Sequence, residues 1–506
     1  MTAPRVAPGV LVAVAAGAGT GAAQAHIFTP PYTLPVPFSM YAFGSGAALV
    51  LSFVIVGLFA SVPGGVAAGT AMRPAATPAT EGPPAPAQVT VGKVLALLLL
   101  AICIVTGLLG TQNLYANFNM TFFWIVFVLG VPYLTAVIGD FYAALNPWKA
   151  LVEILEAAWP SSRRGGAFGG VLRQPERWGC YPALLLYIAF IWIELFARVT
   201  PKLLSFSLLG YTLVNLAGAW LFGKSAWFRQ GEFFGVMLRL IGLMSVWARP
   251  WDAQERAAWR AAAAPGRPRP WRLPFVGLLE TRPAHLSLAV LVLFMISSTA
   301  FDGLHNTQAW VALFWKGLHP EIASWLGIAP GQQVALSARL YYFWQGASLV
   351  VSPLVYLAIF GACVALARWL TGADLTVREL LLRFVFSLVP IAFVYHVTHY
   401  YTMLLAQGGQ VVRLASDPFG KGWNLLGTAR WQIDPWVVEV GVIWHTQVAL
   451  ILLGHIASVY LAHVEALRVF PQPRRAAISQ LPMLVLMVSF TAFGLWILSL
   501  PLSVGG

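Results

Sequence analysis

The run VLALLLLAICIVTGLLG, Val94–Gly110, carries no charge over its whole length. As a helix rising about 1.5 Å per residue it measures about 25 Å, close to the hydrocarbon thickness of a bilayer. Working outward from it, comparable runs recur at Val36–Ala60, Met120–Ile138, Tyr181–Phe196, Leu203–Phe222, His285–Ala300, Tyr342–Leu370, Leu381–Leu405, Val437–His463 and Gln480–Leu500. The expected fold is therefore all-α, a polytopic integral membrane protein of about ten spans. Phe233–Val246 is also apolar but is interrupted by Arg239, and reads as an interfacial or re-entrant helix.

Composition agrees. Of 506 residues, 59% are hydrophobic and only 10% charged, with a mean hydropathy of +0.74. Soluble domains carry roughly 25% charged residues, so soluble, disordered and disulfide-scaffold classes are excluded. The net charge of +13 comes without a basic patch interleaved with aromatics, so nucleic acid is not an expected partner. Cys103, Cys180 and Cys363 are isolated, form no CxxC pair and read as small apolar residues.

Residues 1–25 read as a signal peptide: Arg5, a short apolar stretch Val10–Gly17, and Ala22-Ala23-Gln24-Ala25 as the cleavage site. An uncleaved first helix is the alternative. Residues 26–60 hold an outer N-terminal segment and the first span, 61–92 a linker rich in Pro and Ala and expected to be mobile, and 93–506 the transmembrane domain. Basic residues cluster in Gly223–Pro283, Gly139–Cys180 and His463–Ser479. The connections between them are basic-poor: Thr111–Asn119 has no charge, and Phe301–Arg339 holds only Lys316 and Arg339 as basic residues. That alternation places both termini outside by the positive-inside rule, as a cleaved signal also demands. The expected location is a bacterial inner membrane with the site facing the periplasm. The loops at Phe301–Arg339 and Ala406–Trp436 are too long for simple turns, a common mark of function.

Ionisable residues inside spans are functional candidates by default. Five of nine histidines lie in or beside the last three spans: His396, His399, His445, His455 and His463. His396 and His399 stand one helical turn apart, the spacing by which a helix offers two ligands to one ion. On the next, antiparallel span, His445 lies at a similar depth, so these three imidazoles are expected to meet; His455 lies about 15 Å deeper. Glu194 and Asp302, with His305 one turn further on, end two other spans near the same level. Such a set suits a divalent cation, zinc above all, which would supply hydroxide at neutral pH. Asp302 or Glu194 would hold or deprotonate the water. His26, at the new amino terminus, is a further candidate ligand. Plainer roles stay open: helix–helix hydrogen bonding for the histidines, an interfacial position for His463, a turn at Asp302, and pairing of Glu194 with Arg198. No P-loop, GxGxxG, GxSxG or HExxH motif occurs.

The chain resembles the membrane-bound fenitrothion hydrolases, an organophosphate-degrading family. The likeness rests on FDG (Phe301–Gly303), HYYTMLLAQGG (His399–Gly409), SDPFGKGWNLLGTA (Ser416–Ala429), GHIASVYLAHVEAL (Gly454–Leu467) and SQLPMLVLMVSFTAFGLWIL from Ser479. AHIF and LPVPFSMY near the start fit too, so it covers most of the mature chain and is densest after Phe301. It implies an aryldialkylphosphatase-type hydrolase that cleaves the aryl ester P–O bond of lipophilic triesters and releases a phenol. It further implies His399, His455, His463, Asp302 and His26 as the working set, which agrees with the depth reading only at His399 and Asp302. The expected partners are an apolar ester, membrane lipid and, where one is required, a partner subunit. A metal- or proton-coupled transporter and a haem-bearing electron-transfer subunit are the alternatives.

Overall fold

The computed structural model describes residues 37–59, 73–75, 90–158, 168–251, 256, 270–283, 285–327, 334–433, 438–470 and 472–499. The signal segment 1–25, His26 and most of the linker lie outside these residues. The chain is an all-α polytopic membrane protein. Ten helices among the described residues are long and apolar enough to cross a bilayer. They are α1 (Phe38–Phe59), α2 (Val91–Leu109), α3 (Phe118–Ile138), α4 (Tyr181–Phe196), α5 (Pro201–Phe222), α7 (Leu286–His305), α8 (Val334–Thr371), α9 (Val377–Gln407), α10 (Val440–Val469) and α11 (Pro473–Ser499). The short α6 (Phe233–Gly242) lies between α5 and α7.

Local chemistry explains the boundaries. Thr90 caps α2, Thr200 caps α5 ahead of Pro201, and Thr376 with Glu379 forms a capping box at the start of α9, each satisfying orphan N–H groups. His285 caps α7 by accepting from the Ser287 N–H at 3.1 Å. Burial, and then the nearby Arg378 charge, lower its pKa, which keeps the ring neutral and able to accept. With no solvent in the bilayer to drive helices together, close approach and side-chain hydrogen bonds do so. Gly454 of α10 shows this: a Cβ there would lie 2.4 Å from Val394 of α9.

The loops sort onto two faces. On the basic face, Lys93 pairs with Glu153 at 2.6 Å, Lys224 pairs with Glu156, Glu465 receives Arg383 and Arg468, and Arg468 donates to the Leu279 carbonyl. On the neutral face, the Thr111 and Phe118 N–H groups donate to the Phe419 and Pro418 carbonyls, and Lys202 N–H donates to Gln112. Successive spans therefore run antiparallel, as the charge pattern requires. Part of the linker expected to be mobile is docked instead: β1 (Arg73–Ala75) pairs in parallel with β2 (Thr281–Pro283).

α7 is the hub, with 89% of its span window buried against 11% for α1. It is apolar all round because protein surrounds it. α6 is re-entrant rather than interfacial. Phe233 stacks on Tyr187 at 5.4 Å, Tyr187 meets Phe294 edge-on at 4.9 Å, and Phe234 meets Phe127 at 4.8 Å. Those partners sit midway along α4, α7 and α3. The polar interruption of α6 is satisfied within the protein, since Arg239 donates to the Arg229 carbonyl at 2.9 Å.

Candidate active site

The last turn of the buried hub helix ends in a carboxylate, and the site grows from it. Asp302 is 3% exposed. Its Oδ2 lies 2.8 Å from Nε2 of His399 and accepts the Tyr400 hydroxyl at 2.6 Å. His399 and Tyr400 are neighbours on α9, about 100° apart round the helix, so their side chains close on one oxygen from two sides. Hydrogen bonds to an ionised group are worth about 1.5–3 kcal/mol each, the scale needed to hold a carboxylate inside a membrane. The Tyr400 hydroxyl also reaches Oε1 of Glu194, in the last turn of α4, at 3.3 Å. Three spans thus contribute two carboxylates, one imidazole and one phenol to a single string.

Two cavities flank it, each of about 30 Å³. His399 lines the first, an apolar chamber between α7, α8, α9 and α11, together with Gly303, Tyr356, Tyr395, Phe490 and Phe493. Asp302, Glu194, Tyr400 and His396 line the second, with Ser298 on its wall and Phe233, Phe234 and Met237 from α6. α3 borders that second chamber with a π-helical stretch, Phe122–Gly130, a costly geometry frequent at functional sites. The Val128 carbonyl in this stretch accepts a hydrogen bond from His396. Over the neutral-face end, Phe301 meets Trp310 edge-on at 5.5 Å and Trp310 stacks on Trp344 at 4.3 Å. These rings pack into a roof.

Of the expected site residues that the structure describes, Asp302, Glu194, His399 and His396 come to one place with His305 beside Asp302, and His445, His455 and His463 lie elsewhere. His396 and His399 share a helix turn but line different chambers, because Tyr400, not His399, continues the His396 face at i+4. His445 is turned away. Gln447 and Ile443 are the α10 residues that meet α9, with Gln447 donating to the Thr398 carbonyl and Ile443 accepting from Tyr401. His445 is two residues from each, about 200° round the helix. It faces α1 instead, 3.3 Å from the Tyr41 hydroxyl, with Nδ1 at the Gly441 carbonyl. His455 is buried with Nδ1 at the Ile451 carbonyl. His463 sits at the basic end against Gln480, 2.9 Å away. His305 is next to Asp302 but directs Nδ1 to the main-chain carbonyls of Asp302 and Phe301, at 2.8 and 3.2 Å.

The ligands expected for zinc are not gathered into one set among the described residues, and His26 lies outside those residues. Among the described residues no group of three or more His, Cys, Asp or Glu side chains is placed to hold a metal ion. Asp302 and His399 supply two donors of suitable chemistry, and the other imidazoles are engaged elsewhere. Tyr400, which ties the two acids together, was missed by the sequence reading; its signal was the i+4 spacing from His396 within HYYT.

No protein-family model, curated protein or solved structure matches the chain. The likeness to fenitrothion hydrolases thus rests on its motifs alone. Two of these, FDG and HYYTMLLAQGG, supply Asp302, His399 and Tyr400.

Proposed function

We propose that this protein is a membrane-embedded hydrolase of lipophilic esters, with organophosphate aryl triesters as the substrate class suggested by the motifs. His399 is its general base. The observation that carries the reading is the 2.8 Å approach of His399 Nε2 to Asp302 Oδ2 in a buried site. A carboxylate on one ring nitrogen holds the proton there and leaves the other nitrogen as the base, the logic of the hydrolytic triads. Water would give a proton to His399 as its oxygen bonds to phosphorus. The bond from phosphorus to the aryl oxygen breaks, and the proton then passes to the departing phenolate or to solvent. Tyr400 and Glu194 act behind Asp302, fixing its orientation. The sequence reading cast Asp302 and Glu194 as direct holders of the water; this geometry supports Asp302 as the residue that orients the base. No step here runs through a metal ion, because the donors do not converge on one.

Basic loops favour the cytoplasmic side. By that rule the cluster lies in the outer half of a bacterial plasma membrane, opening towards the periplasm. The test is nitrophenol release from a nitrophenyl dialkyl phosphate by membranes carrying wild type or His399→Ala at equal expression. Loss in the variant supports the proposal; equal rates end it.

A second reading has its own observation in favour. Glu194, Tyr400, Asp302 and His399 form a string suited to proton transfer, and chambers of about 30 Å³ accept water far more readily than a drug-sized molecule. A proton-coupled transporter would show His399-dependent acidification of vesicles without phenol release.

A further inference from the structure

Building on the hydrolase reading, we infer that the ester reaches His399 sideways from the bilayer, through the apolar chamber, and that Phe493 of α11 gates this route. The chamber spans the distance between chemistry and lipid. His399 forms one end, and Phe493, on the membrane-facing side of α11 and 39% exposed, forms the other. Tyr356 of α8 and Phe490 of α11 close the mouth ring against ring, with centroids 5.2 Å apart.

The walls suit a neutral apolar guest, since the remaining polar lining consists of threonine and tyrosine side chains. Charge is confined to the far side of the Asp302–His399 pair, where the second chamber carries Asp302 and Glu194. The two chambers thus divide the reactants, the ester on the lipid side and water on the acidic side. Access from above is obstructed by the packed rings of Phe301 and Trp310.

The mouth is held in part by a single polar contact. Gly494 has no side chain, and a Cβ there would lie 2.4 Å from the Tyr395 hydroxyl, which donates to the Phe490 carbonyl at 2.7 Å. α11 is therefore held beside the mouth partly by one tyrosine hydroxyl, a contact that a small shift exchanges. At about 30 Å³ the chamber is closed to a triester until such a shift occurs.

Two experiments test the route. In the first, Phe493→Trp is expected to raise KM for a dibutyl nitrophenyl phosphate about tenfold, with kcat kept, and Phe493→Ala to lower KM. The dimethyl ester is expected to be little affected by either. Unchanged KM values for both esters in both variants would overturn the gate. The second reads binding without chemistry. Phe493→Cys is placed in a Cys363→Ala, His399→Ala background and labelled with a pyrene maleimide dissolved in the membrane. The dibutyl ester is expected to slow labelling several-fold, and to leave labelling of Phe343→Cys, an exposed position on α8, unchanged. Protection at neither position, or equal protection at both, overturns the route. Protection at 493, when the wild-type protein itself releases no nitrophenol, would keep the route and end the hydrolase reading.

Discussion

Two of the buried carboxylates in this bundle, Glu232 and Asp302, have surroundings that differ in kind. Glu232, at the tip of the re-entrant segment, accepts four hydrogen bonds: from Tyr211 at 2.6 Å, Asn146 at 3.0 Å, and the N–H groups of Phe234 and Gly235 at 3.1 and 2.7 Å. It is the N-cap of α6, and neutral donors held by secondary structure satisfy both of its oxygens. Asp302 instead meets an imidazole that gains or loses a proton and a phenol shared with a second acid, beside two cavities. Burial alone does not mark a functional carboxylate in a membrane. The chemistry of its partners does: main-chain, amide and phenol donors that fill both oxygens make a joint, and an imidazole beside a void makes a site.

Exchanging the carboxylates for amides is the sharpest way to break this contrast. Asp302→Asn and His399→Ala are expected to cut nitrophenol release about 10²–10⁴-fold, the usual worth of a positioned base, at normal expression and detergent melting temperature. Glu232→Ala is expected to do the reverse in stability, because it strands Tyr211 and Asn146 at about 1–3 kcal/mol for each unsatisfied group. The check is a thermal shift in detergent. A stable Glu232→Ala protein, or an unfolded Asp302→Asn one, would collapse the distinction between joint and site.

Tyr400→Phe sharpens the comparison at smaller amplitude. It removes the hydrogen bond that Asp302 accepts from the phenol and cuts the link to Glu194, leaving the His399 contact in place. A charge-assisted bond of about 1.5–3 kcal/mol corresponds to a rate loss of about 10–100-fold. Glu194→Gln, one step further from the base, is expected to cost less than Tyr400→Phe. The opposite order would make Glu194 the working acid and Tyr400 its spacer.

The fold was legible because lipid imposes one simple rule, a long apolar run with at most a stray charge for each crossing, and Val94–Gly110 and its nine counterparts obey it. α6 was half legible: Arg239 signalled that the segment was no ordinary span, but nothing local said that Phe233 and Phe234 pack against Tyr187 and Phe127. The site was legible as depth and illegible as rotation. Levels along a helix follow from residue counts, and they correctly set Glu194, Asp302 and His399 near one height. Which way a side chain points depends on which neighbours a helix has. His445 faces α1 because Gln447 and Ile443 occupy the side of α10 that meets α9. The i+4 spacing sets Tyr400 on the face of His396, but nothing in the sequence says that this face meets Asp302 and Glu194 or that His399 turns to the other chamber.

That rotational error leads to the smallest expected effects. Since His445 and His463 are engaged by Tyr41 and Gln480, well apart from Asp302, His445→Ala and His463→Ala should change the rate of nitrophenol release less than about twofold, as substitutions outside the working constellation do. Dialysis against a chelator should likewise leave the rate unchanged, because among the described residues no three His, Cys, Asp or Glu side chains converge to hold an ion. A chelator-sensitive rate restored by zinc, with His445→Ala also inactive, would mean that α10 turns by about half a revolution in the working protein. That rotation would bring His445 round to α9 beside His399, and the metal set expected from depth alone would be the true one.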